Sequence, residues 1–234
     1  MDTFIKLNSQ TAGKDKLARL AQYLCRAMWH NIQKRQSNPY AVDKLKSLEY
    51  TLSTFRKLLR LGKSLEVLYT TLKTIHYEDF MVKITCTLSK LSNAMFLLTD
   101  HLLWLGRSGL ANVNMNKWSE ISNRYWLYSI IMNLVRDVYE ILRVLSEENV
   151  MVRLGTRKMQ CDIKKQILFI ASIFINNHKD ILWDFIKNTC DVWIPMTALG
   201  YTKFKPGTIG FLGTISSIAG LISMVNPRAK LLPS

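Results

Sequence analysis

Few residues in this chain have the types and spacing that chemistry needs. The four histidines, His30, His76, His101 and His178, stand on separate segments, and none has a second ligand at metal-binding spacing. His101 beside Asp100 reads as a satisfied polar pair. Gly62-Lys63-Ser64 matches the end of a phosphate-binding loop, but that loop needs a glycine five residues before Gly62, and Lys57 stands there. Gly207, Gly210 and Gly213 step by three with no strand before them, and no GxSxG, HExxH or GxGxxG pattern occurs. Arg136, Asp137 and Glu140 are spaced to pair along a solvated helix face. Cys25, Cys86, Cys161 and Cys190 are far apart, form no CxxC pair and read as reduced, buried or lipid-facing thiols of a cytosol-facing protein. The reading is of a non-enzyme with no cofactor and no metal.

The chemistry that remains is that of a charged apolar surface. Across residues 14–35, Leu17, Leu20, Ala21, Leu24, Met28 and Ile32 share one helical arc about 120° wide. Lys16, Arg19, Arg26, His30 and Lys34 lie opposite. The one acid, Asp15, is expected in the first turn, where the helix dipole favours it. Such a one-sided basic helix can lie in a membrane surface, its apolar arc in the acyl boundary and its basic side on anionic lipid. It can equally be a surface helix on a bundle core, and the residues leave both readings open. The formal charge of +15 over 234 residues asks for an anionic partner. The basic residues are spread over helices that also carry apolar stripes, which argues for lipid and against nucleic acid.

The elements that position this helix are also helical. Asn38-Pro39 starts a second helix, which Gly62 stops. A short helix over residues 65–76 and a longer one over 79–105 follow. In residues 84–105 the Leu, Ile and Phe side chains favour insertion by about 3–5 kcal/mol, while two central charges would cost about 5–7 kcal/mol. Lys90 and Asp100 therefore leave a marginal span. Residues 118–145 form another helix, 146–162 a polar connector, 167–175 a short apolar helix, and 181–194 an amphipathic one that Pro195 ends. Residues 208–225 carry no charge and are a transmembrane candidate. Gly213, Ser217 and Gly220 give that helix small-residue spacing for close self-association. The expected organisation is a helical region 1–106, a second helical region 107–206, a transmembrane helix 207–226 and a short basic tail 227–234. The fold class is all-α, with amphipathic helices packed together and on a membrane, a C-terminal Gly/Ser-rich transmembrane helix and a marginal second span.

Five blocks in order carry a family resemblance. They are the helix containing Lys14 to Arg26, then Phe55-Arg56-Lys57-Leu58-Leu59-Arg60-Leu61-Gly62-Lys63, then Leu103-Trp104-Leu105-Gly106-Arg107-Ser108-Gly109-Leu110. After these come Tyr128 to Leu134 with Arg136-Asp137-Val138-Tyr139-Glu140-Ile141, and Cys190-Asp191-Val192-Trp193-Ile194-Pro195 before the Gly/Ser-rich tail. Over nearly its full length the chain resembles the peroxisomal membrane protein 11 family in its animal alpha/beta form. One departure is visible: where some beta-type members carry a Gly/Pro-rich linker, only about residues 154–161 occupy the place.

The resemblance implies an integral peroxisomal membrane protein that elongates the membrane before fission and promotes peroxisome proliferation. It implies an amphipathic helix inserted in the cytosolic leaflet, both termini in the cytosol, and a homo-oligomer. The implied partners are anionic membrane lipid, tail-anchored fission adaptors, a dynamin-related GTPase and the peroxisomal membrane-protein import receptor. It also implies an alternative, a pore for small metabolites, for which Lys90, Asp100 and His101 are the intramembrane candidates.

Overall fold

The computed structural model describes residues 8–36, 38–155 and 177–226, with side chains of 147–155 outside that description. Among the described residues it is all helix: α1 Thr11–Lys34, α2 Pro39–Leu59, α3 Lys63–Thr74, α4 Phe80–Arg107, α5 Met115–Gly155, α6 Lys179–Ala198 and α7 Pro206–Val225. The expected helix at 167–175 and the tail at 227–234 lie outside the described residues.

Local chemistry sets most boundaries. The Asn38 side chain accepts from the Ala41 amide at 3.2 Å and Pro39 fills the first turn of α2, where a missing N–H costs nothing. Gly62, at φ +76°, turns the chain from α2 into α3 in the left-handed region. Asp79 caps α4 by accepting from Met81 N at 2.9 Å and Val82 N at 3.2 Å. Tyr139 also donates to its carboxylate, at 2.8 Å, and this hydrogen bond is the leading reason that Asp79 titrates below its ordinary range.

Three boundaries differ from the expectation. α5 runs through the expected polar connector as far as Gly155, because residues 146–154 hold Glu, Leu, Met and Arg, good helix formers, and no glycine or proline. Pro195 does not end α6 but sits inside it, fully buried, and the helix continues to Ala198. α1 begins at Thr11, so Asp15 lies beyond the first turn and is held by side chains instead.

The helices pack in a closed circuit. α1 lies against α2 and α7, α7 against α6, α6 against α5, and α5 against α4, with a lighter contact between α4 and α2 closing the ring; α3 rests on α4. The interior is mixed, with Val82, Leu97, Leu103, Ile130 and Ile181 buried beside polar and charged groups. Glu49, Asp100, Arg136, Asp137, Asn188 and Asp191 are buried. On the outside, Phe80, Ile84, Leu88, Leu91 and Leu98 line α4, and Tyr128, Ile131, Val135, Val138 and Leu142 line α5. Those steps of three, four and seven residues are single helical stripes. Buried polar groups together with a large exposed apolar surface mark a protein whose outside does not face water alone. Among the described residues α7 is the helix long and apolar enough to cross a membrane; its 20 residues span about 30 Å, the thickness of a hydrocarbon core.

Candidate functional site

The seam between α1 and α7 is built from glycines. A Cβ on Gly207 would meet the His30 ring at 2.4 Å, one on Gly210 the Ala27 backbone N at 2.6 Å, and one on Gly213 the Tyr23 ring at 2.4 Å. The Lys16 ammonium donates to the Gly220 carbonyl at the far end. The pairs 207 with 30 and 220 with 16 make the two helices antiparallel. Of the small residues expected to serve self-association, Gly213 lies in this close contact with α1, together with Gly207 and Gly210. Ser217 is buried and donates to the Gly213 carbonyl at 2.6 Å. Tyr23 forms the centre of a small apolar cluster with Ile194 and Ile209, with Trp126 packed on it.

The basic side of α1 is turned inward. Arg19 pairs with Asp191 of α6 and donates to Ser216 of α7 at 3.3 Å. Arg26 Nε donates to Glu49 of α2 at 2.7 Å, and Trp29 Nε1 donates to the other oxygen of that carboxylate at 2.7 Å. Asp15 accepts from Arg56 at 3.0 Å and from Arg60 at 3.1 Å, and Gln22 from Arg56 at 2.7 Å. Lys16 is half-buried and Lys34 is exposed. Of the apolar arc, Leu24 is 42% and Met28 is 52% exposed, while Leu17, Leu20, Ala21 and Ile32 are half-buried. The apolar side of α1 thus faces outward and continues the outer stripes of the ring.

The charges that weaken α4 as a span are also internal. Asp100 pairs with Lys57 and, at 3.3 Å, with Arg60, while Lys90 donates to the Thr70 carbonyl at 3.3 Å. His101 does not pair with Asp100; its Nε2 lies 2.8 Å from the Arg60 carbonyl. Arg136, Asp137 and Glu140 are buried rather than solvated. Arg136 bridges Asp137 at 2.7 Å and Asp184 of α6, and Asn188 donates to Asp137 at 2.6 Å. Paired buried charges of this kind cost much more to break than to leave in place.

Two half-open cavities lie between the helices of the ring. One, of about 320 Å³, lies between α1, α2, α4 and α5, with Lys63 at the start of α3 on its wall. The other, of about 500 Å³, lies between α4, α5 and α6, with Lys90, Arg136 and Lys187 on its wall. Asn93 and Trp126 border both. Cys25 and Cys86 are buried and Cys190 is half-buried, all as free thiols, while Cys161 lies outside the described residues. No metal-binding cluster occurs among the described residues.

Glu49, Asp191 and Asn188 were missing from the sequence-level candidates. A usable signal was present: Ser89, Asn93 and Asp100 on α4, and Ser122, Ser129, Asn133, Arg136 and Glu140 on α5, recur at helical spacing opposite the apolar stripes.

Comparison with known proteins assigns this arrangement a context. The family model described as Peroxisomal biogenesis factor 11 matches residues 1–225. The chain is 32% identical to Peroxisomal membrane protein 11B of Homo sapiens, covering 100% of both chains. It is 32% identical to Peroxisomal membrane protein 11A of Bos taurus, covering 99% of both, and 25% identical to a Peroxisomal membrane protein 11 homolog of Dictyostelium discoideum, covering 96% of this chain and 94% of that one. No solved structure matches the chain.

Proposed function

The chain belongs to the peroxisomal biogenesis factor 11 family, and from that premise we propose that it is an integral peroxisomal membrane protein whose apolar outer surface, α1 foremost, expands one leaflet and elongates the membrane ahead of fission. The observation that carries this reading is the outer surface of the ring: stripes of Phe, Leu, Ile and Val stand outside, while ion pairs and amides share the interior with apolar side chains. A lipid-facing bundle solves its polar groups internally in this way, because acyl chains offer no hydrogen bonds.

In this mechanism Leu24 and Met28 are the leading edge, supported by Leu17, Leu20, Ala21 and Ile32. Full burial of each large apolar side chain is worth about 1.5–3 kcal/mol, against about 1 kcal/mol for each Lys or Arg on anionic headgroups. Arg19 and Arg26 are engaged with Asp191 and Glu49, so headgroup attraction falls mainly to exposed cations such as Lys34. Apolar insertion then outweighs lipid charge. Copies of the chain gather on the elongated membrane, which is passed to fission adaptors and a dynamin-related GTPase; the import receptor for peroxisomal membrane proteins delivers the chain.

The test is Leu24→Glu with Met28→Glu in cells that lack the endogenous protein. Both side chains are exposed, so the ring keeps its ion pairs. The variant is expected to reach peroxisomes, to resist alkaline extraction through α7, and to leave the organelles unelongated. Elongation at wild-type level would remove α1 from the mechanism.

A second reading, passage of small metabolites, has one specific observation in its favour, two neighbouring cavities that share Asn93 and Trp126 as wall residues. Solute efflux from liposomes that contain the purified chain tests it.

A further inference from the structure

The cavity between α1, α2, α4 and α5 holds more positive charge than its own carboxylates balance. Asp15 serves Arg56 and Arg60, and Asp100 serves Lys57 and Arg60. Arg19 takes Asp191 from outside the cavity wall. The Lys63 ammonium, on the same wall, has no hydrogen bond or ion pair among the described residues. Five cations thus meet three carboxylates, a surplus of two. Donors are left over as well: Arg19 Nε is buried with no partner among the described residues, and Arg56 uses only its Nε and Nη1. α3 begins at this wall with Gly62 as its N-cap and no capping side chain, which adds the positive end of a helix.

A surplus of this kind is costly in a half-open cavity, where the like charges repel more strongly than in bulk water. An occupant with negative charge removes that penalty. More than one negative group is needed to balance two charges. The volume, about 320 Å³, is about ten times a water molecule's share of the liquid, room for a molecule of several heavy atoms. We infer that this cavity is a binding site for a small polyanion bearing phosphate or carboxylate groups, gripped by Arg56, Arg60 and Lys63. Trp126 and Phe96 on the same wall supply its apolar side.

The site stands on the cavity and its charge, and does not depend on solute crossing the membrane. The experiment uses the full-length chain in phosphatidylcholine nanodiscs, with citrate titrated calorimetrically and sorbitol as the uncharged control. Saturable citrate binding is expected, with no heat from sorbitol. Arg56→Gln is expected to weaken binding at least tenfold. Lys63→Gln, which gives up no internal partner and so keeps the fold, is expected to weaken it at least threefold, and Lys63→Arg to restore it. The alternative source of the anion is a lipid headgroup. In that case citrate gives no heat, while phosphatidic acid co-purifies with the wild-type chain and is lost with Lys63→Gln; the site then stands with a lipid occupant. Equal citrate affinity in wild type, Arg56→Gln and Lys63→Gln overturns the inference, as does binding of neither probe. Liposome flux is read in parallel: binding without flux removes the pore reading and keeps the site, and flux without binding does the reverse.

Discussion

The Gly210→Ala variant tests the seam on which the position of α1 depends. The added Cβ would lie 2.6 Å from Ala27 N and 2.9 Å from Ala27 Cα, both backbone atoms that cannot rotate away. Ordinary contact begins at 3.4 Å, so α1 and α7 must part by about 0.8 Å at this point. Overpacking of that kind costs about 1–3 kcal/mol. Alanine returns about 1 kcal/mol through helix propensity, leaving a net loss of up to about 2 kcal/mol. Gly220 provides the control, because a Cβ there meets only the flexible ends of Lys16, at 3.6 Å, and Lys187, at 3.9 Å, and Gly220→Ala should gain up to about 1 kcal/mol. Both variants are measured by reversible unfolding of the full-length chain in mixed micelles of increasing dodecyl sulfate fraction, followed by tryptophan fluorescence. The midpoint should fall for Gly210→Ala and hold or rise for Gly220→Ala. Equal midpoints for the two, or a larger loss at Gly220, would show that α1 does not dock on the glycine face of α7, and the inward placement of its cations would go with it.

Three further outcomes follow from the same geometry. Asp100→Asn leaves Lys57 and Arg60 buried without their carboxylate and should destabilise the chain by about 3–5 kcal/mol, read by the same unfolding assay; Lys57→Met added to it should recover part of the loss. Asp79 has its folded-state pKa held below the ordinary 3.8, so its stabilisation of the α4 start is present above that value and is lost as the pH falls through the lowered one. Amide exchange at Met81 and Val82 should accelerate across that acid window, while Asp79→Asn, which can still cap the helix, should remove the pH dependence. Arg136→Gln should expose the Asp137 and Asp184 carboxylates to each other and loosen α5 from α6, seen as faster proteolysis between them, whereas Arg124→Gln on the exposed face of α5 should change nothing.

Helix identity was legible in the sequence wherever apolar spacing ran over many residues. The organising helix, expected at 14–35, forms over Thr11–Lys34, and the uncharged stretch at 208–225 forms Pro206–Val225. What periodicity could not supply was which face points inward. On Leu24 and Met28 the apolar arc marks the outside, and on Arg136, Asp137 and Glu140 a charged triplet marks the inside. The rule that apolar residues are buried presumes water outside, and it does not assign the exposed apolar stripes of α1, α4 and α5. For the same reason α4 looked marginal: Asp100 and Lys90 weigh against insertion only when lipid surrounds them, and both have partners within the protein. The glycine step at Gly207, Gly210 and Gly213 was visible as a pattern. Its partner, α1, lies almost the whole chain away, and no local spacing could name it.

That distance has a consequence for how the protein is made. The Lys16–Gly220 contact joins residues separated by 204 positions, and the ring closes only where α7 enters between α1 and α6. While the ribosome is still producing the middle of the chain, Arg19 has neither Asp191 nor Ser216, and Tyr23 has no glycine bed. Native contacts of such long range form late. The nascent chain therefore carries adhesive apolar stripes through nearly all of its synthesis, and must be shielded until its last helix emerges.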